Sequence, residues 1–204
     1  MRTLAIECAT EACSIALYDG ANLLAADHRV LGRGHAEHLV PMIAALPQNG
    51  RADRILVSLG PGSFTGVRIG ISVAGAMAIA WRAEVLGYPT LELVAAMGLA
   101  QYPSSSLTVC MTGGHGEWFV QDFGTDGLPE AEVKSLSPDA ARTHGAKQLI
   151  TGSRATDFAA LLGGGHTAHA VLPDAAHTDL LSPGSLTRAI APVYGRGPDA
   201  KLPA

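Results

Sequence analysis

The residues with the makings of a reactive site fall in a few places, and each pattern sets its own chemical test. His35, Glu37 and His38 stand together at the head of an apolar-periodic stretch, where two imidazoles and a carboxylate suggest a metal or acid–base work. Two histidines gripping one metal from a helix want positions four apart, and Leu39 occupies the place a partner of His35 would need. His35 and His38 can still face the same way, but polar residues on the exposed start of a helix are the simpler reading. Glu7 and Glu11 bracket a short turn, a place from which carboxylates can reach phosphate-bound magnesium. The second half supplies no matching carboxylate pair, so these acids read as solvated and a phosphotransfer site is hard to assemble. Ser63, Ser72 and Ser104 to Ser106 lie outside any Gly-x-Ser-x-Gly elbow, which leaves serine hydrolysis unsupported. His115, in its glycine turn, reads as conformational detail.

The three cysteines, Cys8, Cys13 and Cys110, are too few and wrongly spaced for a zinc ribbon or a disulfide framework. Cys8 and Cys13 can face each other across a hairpin, although packing as small hydrophobes accounts for them as well. No signal-peptide pattern precedes them, so the cytoplasm is the expected location. A net charge of -4 with scattered Lys and Arg gives no electrostatic footprint for nucleic acid. If RNA is involved, a partner holds it. With 48% hydrophobic and 16% charged residues, the chain can build a packed core as one large domain or two small lobes.

The elements that must position these residues centre on Gly60-Pro-Gly-Ser-Phe-Thr-Gly-Val-Arg-Ile-Gly70. Upstream, 54–59 is a β-branched-rich run bounded by turn residues, which predicts a buried strand. Gly60, Pro61 and Gly62 turn the chain sharply, Gly66 follows, and Ser63 or Thr65 caps a helix placed at about 65–83. The turn lacks the Lys-Ser/Thr of a P-loop, and Thr65 stands where a dinucleotide fingerprint wants glycine or alanine. An anion at the helix N-terminus stays open, with a purely structural turn as the simpler reading.

From Gly66 to Trp81 the helix carries only Arg68 and Ser72 as polar residues. Val67, Ile71, Ala74 and Ala78 form one stripe, and Ile69, Val73, Met77 and Ala80 another, while Gly66, Gly70, Ala74 and Ala78 form a row of small residues. A helix apolar all round is buried all round. Its second side lies either inside its own domain or on another protein, and the run is shorter than the ~20 residues that a membrane span needs.

In chain order, runs at 3–8, 13–19 and 22–28 predict an antiparallel meander. A helix over 35–46 follows with Leu39, Met42, Ile43 and Leu46 at helical spacing and Pro41 near its start. After the strand and long helix come a strand at 84–87 and a helix over 91–101 that Thr90 can cap. Residues 103–106 look like a hinge. Beyond it, strands are expected at 107–111, 118–123, 131–136, 147–151 and 168–172, with a helix over 154–162. Ser137-Pro138 and Ser182-Pro183 look like further helix starts. This gives an N-terminal lobe over 1–102 and a smaller α/β lobe over 103–204.

The order of elements resembles the ribonuclease-H-like core of actin-like ATPases (the ASKHA fold), with a reduced second lobe. Leu4 to Leu17, His35-Ala-Glu-His-Leu-Val-Pro41, the Gly60–Gly70 stretch and Pro192-Val-Tyr-Gly-Arg196 together resemble the TsaB (YeaZ) family. The glycine stretch is the specific piece, and the likeness is dense in the first half and thin in the second. It implies a non-catalytic scaffold subunit of the bacterial machinery that puts threonylcarbamoyl on tRNA adenosine. Its implied partners are the catalytic paralogue TsaD, which carries a His-x-x-x-His metal pair, and the ATPase TsaE. It also implies a homodimer when the chain is alone, tRNA contact only through the complex, and no membrane. No cofactor or metal is expected for the isolated chain, with ATP and magnesium a matter for the assembled complex. The helices 36–46 and 66–82 would build a bundle with TsaD, which makes Leu39, Met42, Ile43, Leu46, Val67, Ile69, Gly70, Val73, Ala74 and Met77 the expected interface. Glu7 and Thr10 are candidates for a vestigial nucleotide contact. Two departures stand out: Glu7 replaces the family's usual Asp, and Thr112-Gly-Gly-His-Gly-Glu117 stands where Asp-Ala-Arg-x-Gly-Glu is expected. The alternative is a stand-alone actin-fold phosphotransferase or a metallopeptidase.

Overall fold

A computed structural model describes residues 1–195. Strands β1 (Arg2–Glu7), β2 (Ala12–Asp19) and β3 (Asn22–Val30) form the antiparallel meander, and β4 (Arg54–Ser58) and β5 (Glu84–Tyr88) extend it in parallel. Parallel strands need crossover connections, which α1 (His35–Ala45) and α2 (Phe64–Trp81) help supply. The resulting order, β3-β2-β1-β4-β5, is the expected ribonuclease-H-like sheet. Residues alternate across it. Leu4, Ile6, Ile15 and Leu17 pack with Leu39, Met42, Ile43 and Ala74 on one face, whereas Ala5, Ala16 and Tyr88 meet Leu93 and Ala175 on the other.

Helix α3 (Thr90–Gln101) connects the two lobes and is apolar on several sides because it is buried between them. It sends Leu93 toward the first sheet, and Leu91, Val94 and Ala95 join Leu107, Val109 and Phe119 of the second. That sheet comprises β6 (Leu107–Thr112), β7 (Trp118–Phe123), β8 (Lys134–Leu136), β9 (Leu149–Thr151) and β10 (Thr167–His169), in the order β10-β9-β6-β7-β8. Its far face is covered by α4 (Pro138–His144) and α5 (Ala155–Leu161), where Phe158 meets the edge of Trp118 at 5.7 Å between ring centroids.

Several expectations change. The strand expected over 131–136 is confined to β8 and the one over 168–172 ends at His169. Ser182-Pro183 opens a short 3-10 turn rather than a helix. Thr90 does not cap α3, because its hydroxyl is bonded to Ser58 Oγ at 2.6 Å. From Ala175 onward the C-terminal segment turns back to the first lobe. Ser14 Oγ accepts from the Ala175 amide, the Tyr18 hydroxyl donates to the Ala175 carbonyl, Thr187 bridges Gly87, and the Val193 amide donates to the Leu59 carbonyl at 2.7 Å. The last described stretch therefore ties back to the first lobe. Arg196 of the expected C-terminal motif lies outside the described residues.

Candidate functional site

The glycine turn is shaped by close backbone approach. Gly60 has φ 89°, its carbonyl accepts from the Thr90 amide, and the Val193 carbonyl lies 3.0 Å from where a Cβ would stand. A methyl group at Gly62 would overlap the Ala9 carbonyl, and one at Gly66 the Cys8 carbonyl. The turn and the first turn of α2 thus lie directly on the β1–β2 hairpin, fastened by a 2.6 Å hydrogen bond from the Ser63 amide to the Ala9 carbonyl. Ser63, not Thr65, caps α2, its Oγ accepting from the Gly66 amide at 3.2 Å.

Above this junction a cleft of about 990 Å³ opens between the lobes, lined by Thr10, Glu11 and Ser63 on one side and by the Gly113–His115 turn and Phe119 on the other. Phe64, Arg68 and Tyr194 stand at its mouth. The Arg68 guanidinium carbon lies 3.5 Å from the Phe64 ring centroid, and an Arg68 nitrogen donates to the Tyr194 hydroxyl at 2.9 Å.

Only one of the two expected nucleotide contacts faces this space. Thr10 lines the cleft, with Oγ1 accepting from the Ala12 amide. Glu7 is fully buried, which corrects its reading as a solvated acid or a cleft ligand. Its Oε1 accepts from the Ala9 amide at 2.7 Å, while Oε2 has no hydrogen-bond partner among the described residues. The neighbouring hydroxyls bond elsewhere, Ser58 to Thr90 and Tyr88 to the Ile6 carbonyl. Burial pushes the Glu7 carboxyl up to about 7, with hydrogen bonding at the site only partly opposing the shift. The cleft's described lining retains Glu11 as its carboxylate, and this set does not fit a magnesium-nucleotide site built on Glu7 and Thr10.

The histidine cluster also separates. His35 is buried, not a surface residue, and its Nε2–H donates to the Ala12 carbonyl at 3.2 Å. His38 is exposed, with Nδ1 2.8 Å from the Gly34 carbonyl. Among the described residues, no three His, Cys, Asp or Glu side chains are grouped to hold a metal.

The expected partner surface divides in the same way. Leu39, Met42, Ile43 and Leu46 all lie in the chain's own core, because α1 turns its apolar stripe onto the sheet. They are corrected from interface to core. On α2, Val67, Gly70 and Ala74 are buried, while Ile69, Val73 and Met77 are half-buried against the same core. The open strip is a different one. Phe64, Arg68, Ser72, Ala76 and Ile79 follow one another at helical spacing, all exposed, and Ile79 is 84% exposed. The strip carries Arg68 and Ser72, whereas the expected interface followed the apolar stripes on the other sides of the helix. At 18 residues α2 reaches the length of a membrane span, so length does not exclude one. Its packing on β1, β4 and β5 instead marks it as a sheet-covering helix.

A family profile described as "TsaD: tRNA N6-adenosine threonylcarbamoyltransferase" matches residues 29–130, half of the chain. The "tRNA threonylcarbamoyladenosine biosynthesis protein TsaB" of Escherichia coli (strain K12) is 38% identical over 100 residues, 47% of this chain. That match spans 43% of the relative's own length. The solved structure of YeaZ from Pseudomonas aeruginosa superposes with a TM-score of 0.75 at 25% identity, covering 95% of this chain and 99% of that one. EutJ from Carboxydothermus hydrogenoformans, at 10% identity and a TM-score of 0.50 over 89% of each chain, shares the fold alone. The two-lobed α/β architecture, the glycine turn seated on the first hairpin and these matches place the chain in the TsaB (YeaZ) family, with an actin-like ATPase fold.

Proposed function

We propose that the chain is a non-catalytic subunit of a tRNA threonylcarbamoyl transferase, docking through the open strip of α2 on a TsaD-type catalytic partner. The observation that carries this reading is the face of α2 left uncovered after the lobe has folded, on which Phe64 is 58% and Ile79 84% exposed, with Arg68, Ser72 and Ala76 between them. A helix of 18 residues is about 27 Å long, enough for the central strip of an interface that removes ~1,600 Å² from water. Arg68 and Ser72 give the strip a polar handle, and Phe64 gives it an aromatic anchor.

In this reading the same strip closes a homodimer when the catalytic partner is absent, TsaE joins the heterodimer, and tRNA is met only through the assembly. All of it takes place in the cytoplasm. ATP and magnesium belong to the assembled complex rather than to this chain. A stand-alone phosphotransferase or metallopeptidase is disfavoured by the burial of Glu7 away from the cleft and of His35 in the core.

The test is the solution mass of the chain with and without TsaD. A one-to-one complex that replaces the self-associated form is expected, and a mixture that elutes as two unchanged species would overturn the reading. Calorimetry on the isolated chain should show no tight binding of ATP-magnesium or zinc.

A further inference from the structure

Cys8 and Cys13 are free thiols, both buried, with Sγ atoms 3.6 Å apart. The β1–β2 register pairs Glu7 with Ser14, so one step toward the turn sets Cys8 opposite Cys13. Directly opposed residues of an antiparallel pair have Cα atoms ~4.5–5.5 Å apart, inside the ~4.4–6.8 Å that a disulfide spans. Closing the bond needs the sulfurs to approach by roughly 1.5 Å, to a length of ~2.05 Å.

We propose that Cys8 and Cys13 are a reversible thiol–disulfide site, closed by exchange with a small disulfide such as glutathione disulfide that arrives through the interlobe cleft. The cleft floor is Ala9, Thr10 and Glu11, the short turn between the two cysteines, so opening that turn uncovers both sulfurs. Cys13 loses its proton and its thiolate attacks one glutathione sulfur. A mixed disulfide forms, and the first glutathione leaves as a thiolate that takes up that proton. Cys8 then loses its proton and attacks the Cys13 sulfur, releasing the second glutathione as a thiol. Two protein thiols are oxidised and one glutathione disulfide is reduced to two thiols, with all protons accounted for. The thiol–thiol contact favours this order, holding Cys13 below the usual thiol range and Cys8 above it.

The site sits under a helix that the chain offers to solvent. Gly66 rests on the Cys8 carbonyl, and a Cβ on Gly70 would stand 3.5 Å from the Cys8 Cβ. Drawing Cys8 toward Cys13 therefore pulls on the seat of the first two turns of α2.

The full chain is equilibrated in glutathione redox buffers, once folded and once in urea, then acid-quenched, alkylated and digested with trypsin. Cys8 and Cys13 share the peptide 3–29, and Cys110 reports separately from another peptide. The expected result is a peptide 3–29 two hydrogens lighter that escapes alkylation and returns on reduction. Its closure constant should be at least about tenfold greater in the folded chain than in urea, since the fold holds the thiols together. The proposal is overturned if both cysteines stay alkylatable, if only glutathione adducts or intermolecular bonds form, or if the folded constant does not exceed that in urea.

Discussion

Gly66 lies so close to the Cys8 carbonyl that any side chain on it would occupy the oxygen's space. The contact joins the first helical turn of α2 to the end of β1, two pieces of chain nearly sixty residues apart in sequence. Everything that projects from the start of α2 takes its position from this contact, including Phe64 at the cleft mouth and the strip running on to Ile79.

Replacing Gly66 with alanine is therefore expected to destabilise the fold by about 3 kcal/mol, the upper end of ordinary overpacking, because the obstacle is backbone and not a movable side chain. Gly75 is the control. It sits in the same helix, and an added Cβ meets nothing within 4 Å. Gly75→Ala should stabilise the chain by roughly 0.5–1 kcal/mol through helix propensity. Urea midpoints of the two variants should move in opposite directions.

The return of the C-terminal segment to the first lobe is tested at Ser14. This buried hydroxyl accepts from the Ala175 amide at 2.9 Å, across 161 residues of sequence. Ser14→Ala leaves that amide unsatisfied in the core, which should cost about 1–3 kcal/mol. The same variant should raise amide hydrogen exchange at Ala175 before it does so in β6 or β7. Equal protection of Ala175 in both proteins would count against the anchoring.

Much of this architecture was legible in the sequence. The meander, both crossover helices and the glycine turn follow from local periodicity and turn chemistry, so their bounds emerge within a residue or two. The faces were less legible. Leu39, Met42, Ile43 and Leu46 look the same in sequence whether they meet a sheet or a partner, and only the packed sheet decides. On α2 the polar pair Arg68 and Ser72 marks the open side, but the apolar residues that fill the other sides drew the expected interface onto the buried ones. Glu7 was missed because acidic residues beside a turn are usually solvated. Its burial depends on Tyr88 and Ser58, which sequence distance separates from it. The tail was missed because its links to Ser14, Gly87 and Leu59 all leave from its own backbone, at Ala175, Thr187 and Val193, and so carry no side-chain signature in the tail.

Glu7 makes stability fall as pH rises. Its carboxyl is held up to about 7 in the folded chain against 4.5 for the ordinary group. Between those values the unfolded chain ionises while the folded chain keeps its proton, so the folded state binds more protons and loses ground as pH climbs. The loss totals roughly 3 kcal/mol and is complete above pH 7, where both states are ionised. Glu7→Gln keeps the shape without the charge. Its urea midpoint should be flatter than that of the parent chain between pH 5 and 7, and higher at pH 8. Parallel profiles for the two proteins would show that Glu7 titrates normally.

The partner-binding reading makes its sharpest demand on two isoleucines with opposite surroundings. Ile79 is 84% exposed on the open strip of α2, whereas Ile43 is 1% exposed in the core under α1. Arginine at position 79 stays in water and should change the stability of the isolated chain by no more than about 0.5 kcal/mol. In a complex it would have to be desolvated without a partner charge, which should weaken association with TsaD about a hundredfold or more. Arginine at position 43 places a charge among Leu39, Met42 and Leu4, where nothing offsets its burial, and should unfold the chain outright. Circular dichroism separates the folded variant from the unfolded one, and titration against TsaD measures the loss for Ile79→Arg. If that variant stays folded and binds as tightly as the parent chain, the open strip of α2 is not the docking surface.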